Sequence, residues 1–265
     1  MAGPTSLATL NFSIRGRVAH AVFSRPDTLN SLSEEALDDL GVVVRNVQGD
    51  PEVRALVISG EGDAFSVGLD DDLLEKAYGD PEYFENVLTR LAAAFLSLES
   101  LDVPVVAQVS GQALGAGLEL ALACDMIVAA DDAVIGDGQL AAGIVPGGGA
   151  SIRLPRLIGV QRARELIYSG RSLSGKEAAA LGVVLRSVPS AELDAAVAAL
   201  VATLIDKPRP CLATAKRQIN RGVGVDTPTG VEQERRELIR YLQEFSPDAV
   251  EGFRAQRDGR EPSWA

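Results

Sequence analysis

Two stretches of small residues and one acid are the parts of this 265-residue chain best suited to chemistry. In Gly60-Glu-Gly-Asp-Ala-Phe-Ser-Val-Gly-Leu-Asp70 a predicted strand ends, and a loop that lets a ligand approach the backbone leads into a helix. In Val109-Ser-Gly-Gln-Ala-Leu-Gly-Ala-Gly-Leu-Glu119 another strand gives way to a helix whose first amides lack intrahelical acceptors, an end that favours negative charge. Two free amides from separate loops can converge on one oxygen, as a reaction that builds charge on a carbonyl requires. Losing one such donor costs roughly 3 to 4 kcal/mol of barrier. Each loop taken alone reads more simply as turn chemistry.

Glu119 follows Ala116 by three residues on the same predicted helix, so its side chain leans back over the face of the second loop. In an apolar context such as Leu118-Glu-Leu-Ala-Leu-Ala an acid costs desolvation free energy unless it is paired or used. It is either a proton carrier or a hydrogen-bonded structural acid. Other chemistries find little support. His20 is the only histidine and lies inside an apolar strand pattern, which disfavours a Ser-His-Asp triad and a His-rich metal site; no metal site is expected. Gly115-Ala-Gly117 lacks the third glycine of a dinucleotide loop, and no Walker lysine follows any glycine-rich loop. Pro146-Gly-Gly-Gly149 reads as a flexible turn that brings backbone close to a substrate.

The elements that must hold these loops alternate. Leu10–Ile14 and Val18–Phe23 read as strands around the turn Arg15-Gly16-Arg17, Ser33 can cap a helix to about Gln48 with Leu37, Leu40, Val44 and Val47 inward, and Arg54–Ser59 reads as a strand. Leu88, Leu91, Phe95 and Leu98 recur at helical spacing, and Val103–Val109 is a β-branched run suited to a buried parallel strand. Short strands follow near Met126–Ala129 and Ala133–Ile135. Beyond Gly149 the chain turns mostly helical, with a capping box at Ser174-Gly-Lys-Glu177, a stop at Gly182, one more strand over Val183–Val188 and an Ala-rich helix over Ala191–Ile205. This predicts an α/β core over residues 1–206 and a helical C-terminal region over 207–265.

Composition narrows the class. Apolar residues make up 46% of the chain against 23% charged, a mixture that can offset the entropy of ordering, and the formal net charge of −12 argues against nucleic acid or an anionic lipid surface as partner. Only Cys124 and Cys211 are present, in no paired motif, and both are expected as buried thiols in a reducing compartment. Met1–Leu10 lacks a basic start followed by an apolar run, so a cytoplasmic enzyme with no membrane segment is the simplest expectation.

Ala64-Phe-Ser-Val-Gly-Leu-Asp70 and Gly111-Gln-Ala-Leu-Gly-Ala-Gly-Leu-Glu-Leu-Ala121 together resemble the two signature loops of the enoyl-CoA hydratase/isomerase (crotonase) family. The similarity continues through Arg25-Pro-Asp-Thr-Leu-Asn30, Cys124-Asp125, Gly143-Ile-Val-Pro-Gly-Gly-Gly149, Arg153-Leu-Pro-Arg156, Gly170–Ala178 and Glu251–Arg257, so it spans almost the whole chain. The resemblance implies a crotonase-like spiral of repeated ββα units with a C-terminal helical extension. It implies a backbone oxyanion hole for a thioester enolate from the amides of Leu69, just after Gly68, and Ala116, where the family usually has Gly. Arg25, Leu29, Ala64, Ser66, Gly68, Asp70 and Gly115 would by resemblance hold the acyl-CoA, coenzyme A being part of the substrate and no cofactor being tightly bound.

Glu119 matches the family's first catalytic Glu; the second would fall at position 139, which here is Gln139. An amide orients water or a substrate group but does not exchange a proton near neutral pH, which counts against standard hydratase and double-bond isomerase chemistry. Glu119 is then the sole acid/base with Gln139 as a polar positioning group. Asp137, between Gly136 and Gly138, is either a turn-former or, with the loop rearranged, a substitute acid. The expected activity is a lyase or isomerase reaction through a CoA enolate, hydration of a 2-enoyl-CoA being the nearest specific case; the alternative is a non-catalytic acyl-CoA-binding or assembly protein. By resemblance the C-terminal helices pack across neighbouring subunits and close the acyl pocket, giving a homotrimer or a dimer of trimers.

Overall fold

A computed structural model describes residues 5–264 of the chain. The first four residues, part of the segment read above as lacking a leader, and Ala265 lie outside the described residues, as do the side chains of Thr5, Ser6 and Ser246. In chain order the elements are β1 (Thr5–Ser6), β2 (Leu10–Arg15), β3 (Val18–Phe23), α1 (Glu34–Gly49), β4 (Ala55–Gly60), β5 (Ala64–Ser66), α2 (Asp71–Gly79), α3 (Pro81–Ser100), β6 (Val105–Val109), β7 (Gln112–Leu114) and α4 (Ala116–Ala123). They continue as β8 (Met126–Ala130), β9 (Val134–Gly136), α5 (Ala150–Ile158), α6 (Val160–Ser169), β10 (Leu173–Ser174), α7 (Gly175–Leu181), β11 (Arg186–Val188), α8 (Leu193–Ile205), α9 (Arg209–Gly222), α10 (Thr227–Glu244) and α11 (Ser246–Asp258).

The strands form two sheets. The larger has the order β1-β2-β3-β4-β6-β8-β11, antiparallel at its start and parallel from β3 onward; the smaller has the order β10-β9-β7-β5, with β5, β7 and β9 parallel. Each of the pairs β4–β5, β6–β7 and β8–β9 therefore puts its first strand in the large sheet and its second in the small one before helices return the chain. This is the repeated ββα spiral that the sequence resemblance implies. The central strands are apolar on both faces, as parallel strands covered by helices must be: Leu56, Ile58, Val105, Val106, Ala107 and Val128 are all buried.

Local chemistry accounts for most boundaries. Ser33 caps α1 through its side chain, and Ser174 and Glu177 form the reciprocal capping box of α7, which Gly182 closes in the left-handed conformation at φ 85°. On α1 the inward face carries Leu37, Leu40, Val43 and Val47, while Val44 is only partly buried. The strand expected over Val183–Val188 contracts to Arg186–Val188, because Val183 and Val184 still bond back to Ala178 in the middle of α7. Cys124 is buried as expected, but Cys211 is exposed, since it sits in the first turn of α9 on the outward side.

The C-terminal helices are joined to the core by a buried charge. Lys216 on α9 donates to the carbonyls of Leu98 and Val103 at 2.8 and 3.2 Å and pairs with Asp125 at 2.8 Å. Asp125 in turn accepts from the Val105 amide at 2.7 Å, so the pair fastens α9 to the ends of α3 and α4 and to the start of β6. No helix among the described residues is long and apolar enough to cross a membrane.

Candidate active site

The parallel strands β5, β7 and β9 all end on one side of the small sheet, and the turns after them carry the candidate residues: Val67–Leu69, Gly115–Ala116 and Asp137–Gln139. Ligand-binding crevices in open α/β sheets lie at such carboxyl ends. Two backbone links hold the turns in register. The Gly115 amide donates to the Gly136 carbonyl at 3.0 Å, and the Val67 amide to the Leu29 carbonyl at 3.3 Å.

Glycine is required where the first two turns meet. Gly68 has φ 106°, and a methyl built on it would lie 3.2 Å from the Ala116 nitrogen and 3.2 Å from the Leu114 carbonyl oxygen. Gly117 backs directly on the Ser66 carbonyl, so α4 can start only where β5 has just ended. At the bridge between Leu32 and Leu69, the Leu32 amide donates to Gly68 and the Asp70 amide to Leu32, which leaves the Leu69 N–H out of the ladder. Among the described residues neither Leu69 nor Ala116 donates its amide to another group. Ala116 is the first residue of α4, so the positive end of the helix lies at the same spot.

All eight residues of α4 are buried, as a helix that is apolar all round must be, and Glu119 is its one acid, at 1% exposure. Its Oε1 accepts from the amides of Gly148 and Ala150 at 2.8 and 3.0 Å, and its Oε2 from Gln139 Nε2 at 3.3 Å. Burial pushes the Glu119 carboxyl above the ordinary carboxylate range, against the pull of the Ala150 and Gly148 amides and of Gln139 toward the charged form. The turn Pro146–Gly149, read from sequence as a flexible turn that brings backbone close to a substrate, brings its backbone to this acid instead, together with the first amide of α5. Neither Gly148 nor Ala150 was singled out, and the segment's density of glycine was the one signal that pointed there.

The remaining expected residues fall into two groups. Arg25 and Asp70 form an ion pair at 3.1 Å at the rim; Arg25 also donates to the Ser31 carbonyl, and Asp70 Oδ2 accepts from Ser31 Oγ at 2.8 Å. Burial alone would raise Asp70, but Ser31, Arg25 and the Asp72 amide hold it below its usual range. Leu29 and Asn30 both adopt positive φ, and Asn30 secures that turn by accepting from the Arg25 amide and donating to the Glu61 and Ala64 carbonyls. Ala64 and Ser66 lie under the site: the Ala64 carbonyl is taken by Asn30, and Ser66 Oγ accepts from the Gly68 amide at 3.3 Å. Glu119, Gln139, Gly115, Ala116, Gly68 and Leu69 are thus brought together, with Arg25, Leu29 and Asp70 beside them.

A parallel-stranded ββα spiral with two amides and a buried acid at its strand ends defines the crotonase fold class. The profile of the enoyl-CoA hydratase/isomerase family matches residues 13–265, and the chain belongs to that family. It is 36% identical over 241 residues to methylglutaconyl-CoA hydratase of Rattus norvegicus, covering 89% of this chain and 75% of that one. It is 31% identical over 218 residues to the short-chain enoyl-CoA hydratase of Clostridium acetobutylicum, covering 82% of each. The crystal structure of an enoyl-CoA hydratase from Bacillus anthracis superposes with a TM-score of 0.91 at 31% identity, over 97% of this chain and 98% of that one.

Proposed function

We propose that this protein transforms an acyl-CoA thioester through its enolate, the thioester oxygen being held by the amides of Leu69 and Ala116. The observation that carries this reading is the close approach of the two turns, such that a methyl built on Gly68 would lie 3.2 Å from the Ala116 nitrogen, with the amides of Leu69 and Ala116 otherwise undonated. Glu119 is the only carboxyl that meets the substrate: it takes a proton from the α-carbon, or from a water attacking the β-carbon, and returns it. Gln139 positions Glu119 or that water and exchanges no proton.

The reaction is a lyase or isomerase step, with hydration of a 2-enoyl-CoA as the nearest specific case and decarboxylation or ring chemistry as neighbours on the same intermediate. Arg25, Leu29, Ala64, Ser66, Gly68, Asp70 and Gly115 frame the acyl-CoA. Residues 207–265 form the assembling region of a homotrimer or dimer of trimers that closes the acyl pocket, and a cytoplasmic setting without nucleic-acid partner completes the reading. Gln139 favours one rival, a non-catalytic acyl-CoA-binding or assembly protein.

A panel of acyl-CoA and 2-enoyl-CoA thioesters separates these. The proposal expects product from at least one member and loss of that turnover, by roughly a hundredfold or more, in Glu119→Gln. Tight binding without product from any member supports the rival, and undiminished turnover in Glu119→Gln overturns the role of that residue.

A further inference from the structure

Asp137 is a buried carboxyl at the site with no task in the reading above. It leaves β9 at the carboxyl end, between Gly136 and Gly138, and is 3% exposed. Neither of its carboxyl oxygens has a hydrogen-bond partner. The Gln139 backbone amide is the donor that favours its charged form, yet it falls short of a hydrogen bond, so the turn-forming role open to Asp137 in the sequence is not made. An unpartnered carboxylate removed from water is expensive, and a carboxyl that keeps its proton is not.

Its surroundings say which charge it answers to. The Asp137 carbonyl oxygen lies 3.6 Å from a methyl built on Gly115, next to Ala116, and the Gln139 side chain two residues on bonds to Glu119. Glu119 is the charged group acting on Asp137. From the neighbouring elements, Arg153 is engaged with Glu99 and the Gly148 carbonyl, and Arg171 is engaged with Glu165. No cation among them neutralises Asp137. The two carboxyls are thus unequal: Glu119 receives three donors and Asp137 none, so when one of the two is ionised it is Glu119.

We propose that Glu119 and Asp137 titrate as one coupled carboxyl pair in which Asp137 is the last to lose its proton and thereby sets how strongly Glu119 holds the proton it takes from substrate. Asp137 acts through Glu119 and is a positioning residue. With Asp137 neutral, Glu119 is the weaker base; once Asp137 ionises, its negative charge raises the proton affinity of Glu119. When Glu119 accepts a proton as a substrate C–H or water O–H bond breaks, ionised Asp137 is left facing a neutral acid. Burial and the Glu119 charge lift Asp137 to about 6, within reach of ordinary pH.

The consequence for turnover rests on the function proposed for Glu119, whereas the coupling does not, and the test keeps them apart. Carbon-13 NMR of protein labelled at aspartate carboxyls is titrated for the wild type, Asp137→Asn and Glu119→Gln. The proposal expects an aspartate, besides the raised Asp125, that titrates well above the ordinary range, is absent from Asp137→Asn and moves to lower pH in Glu119→Gln. No such aspartate, or one that Glu119→Gln leaves in place, overturns the pair. With an acyl-CoA that the wild type turns over, kcat is expected to show a second inflection where Asp137 ionises and Glu119 becomes the stronger base, and Asp137→Asn is expected to lack it. A superimposable profile, with only a changed melting temperature, reduces Asp137 to a structural residue and overturns its role in catalysis. A coupled titration in a protein without turnover leaves the pair standing and removes the enzymatic reading instead.

Discussion

Gly148 holds Glu119 and leaves it no spare room: its amide donates to Oε1 at 2.8 Å, and a methyl on its α-carbon would come within 2.5 Å of Oε2. The same hypothetical methyl lies 3.1 Å from the Phe95 ring, so it cannot yield toward the core. Gly148→Ala therefore displaces the carboxylate or the turn that carries it. We expect kcat to fall at least tenfold with KM changed little, because a displaced catalytic group loses alignment rather than substrate binding. Steady-state kinetics on the substrate found by the thioester panel check this, and an unchanged kcat counts against Glu119 as the acid/base.

Ala116 permits a test of a backbone donor that side-chain changes cannot give. As the first residue of α4 it tolerates proline, which removes the N–H at the position where a helix loses least. Ala116→Pro is expected to keep its far-ultraviolet circular dichroism and lose roughly 10²–10³ in kcat, the usual effect of one missing oxyanion donor. Retained kcat in the folded variant removes this amide from the mechanism.

Asp137 links the site to stability through pH. Its carboxyl is raised in the folded chain from an ordinary 3.8 to about 6, so the native state binds more protons than the unfolded one across that interval. The contribution of Asp137 to wild-type stability should therefore fall as pH rises from 3.8 to about 6, and Asp137→Asn should not share that fall. The variant is expected to gain on the wild type with rising pH, by on the order of 2 kcal/mol with solvent screening allowed for, and to show no such gain below the unfolded value. Urea unfolding of both proteins along the pH series measures it, and parallel curves refute the linkage.

Lys216 is buried against Asp125, so removing one partner strands the other. In Asp125 burial raises the carboxyl against the opposing pull of Lys216. Lys216→Met is expected to cost about 1–3 kcal/mol, because it leaves the Leu98 and Val103 carbonyls without their donor and the partly exposed Asp125 without its cation. Protease sensitivity should appear first in α9–α11, which lose their anchor to the core. A loss below about 1 kcal/mol, the level of an exposed pair, contradicts this account.

The sequence was most informative where a requirement is local. Ser33, Ser174 with Glu177, and Gly182 announce helix ends because capping and left-handed turns depend on the residue at that position. The loops at Gly68 and Gly115–Gly117 were readable for the same reason, since close backbone approach leaves only glycine. Of the small sheet only β9 was readable, as the short strand near Ala133–Ile135; β5 and β7 have three residues each, too few to show a period. The amides that cradle Glu119 come from residues 29 and 31 positions away, a pairing that only the folded chain makes. Cys211 was misplaced because a thiol's usual burial says nothing about which side of α9 it occupies. Asp137 offered two readings in the sequence, and its missing hydrogen bonds are a property of three-dimensional surroundings.

The turns after β5, β7 and β9 divide the site into parts with unequal freedom to change. The carbonyl-facing part is main chain, constrained by Gly68, Gly115 and Gly117 against neighbouring backbone, so ordinary substitution either leaves it intact or breaks the fold. The proton-handling part consists of side chains at 119, 137 and 139 on a helix and a following loop, where one codon alters acidity without disturbing the strands. Under the function proposed above, a lineage built on this frame can explore new reactions on one activated thioester while its main-chain clamp stays unchanged.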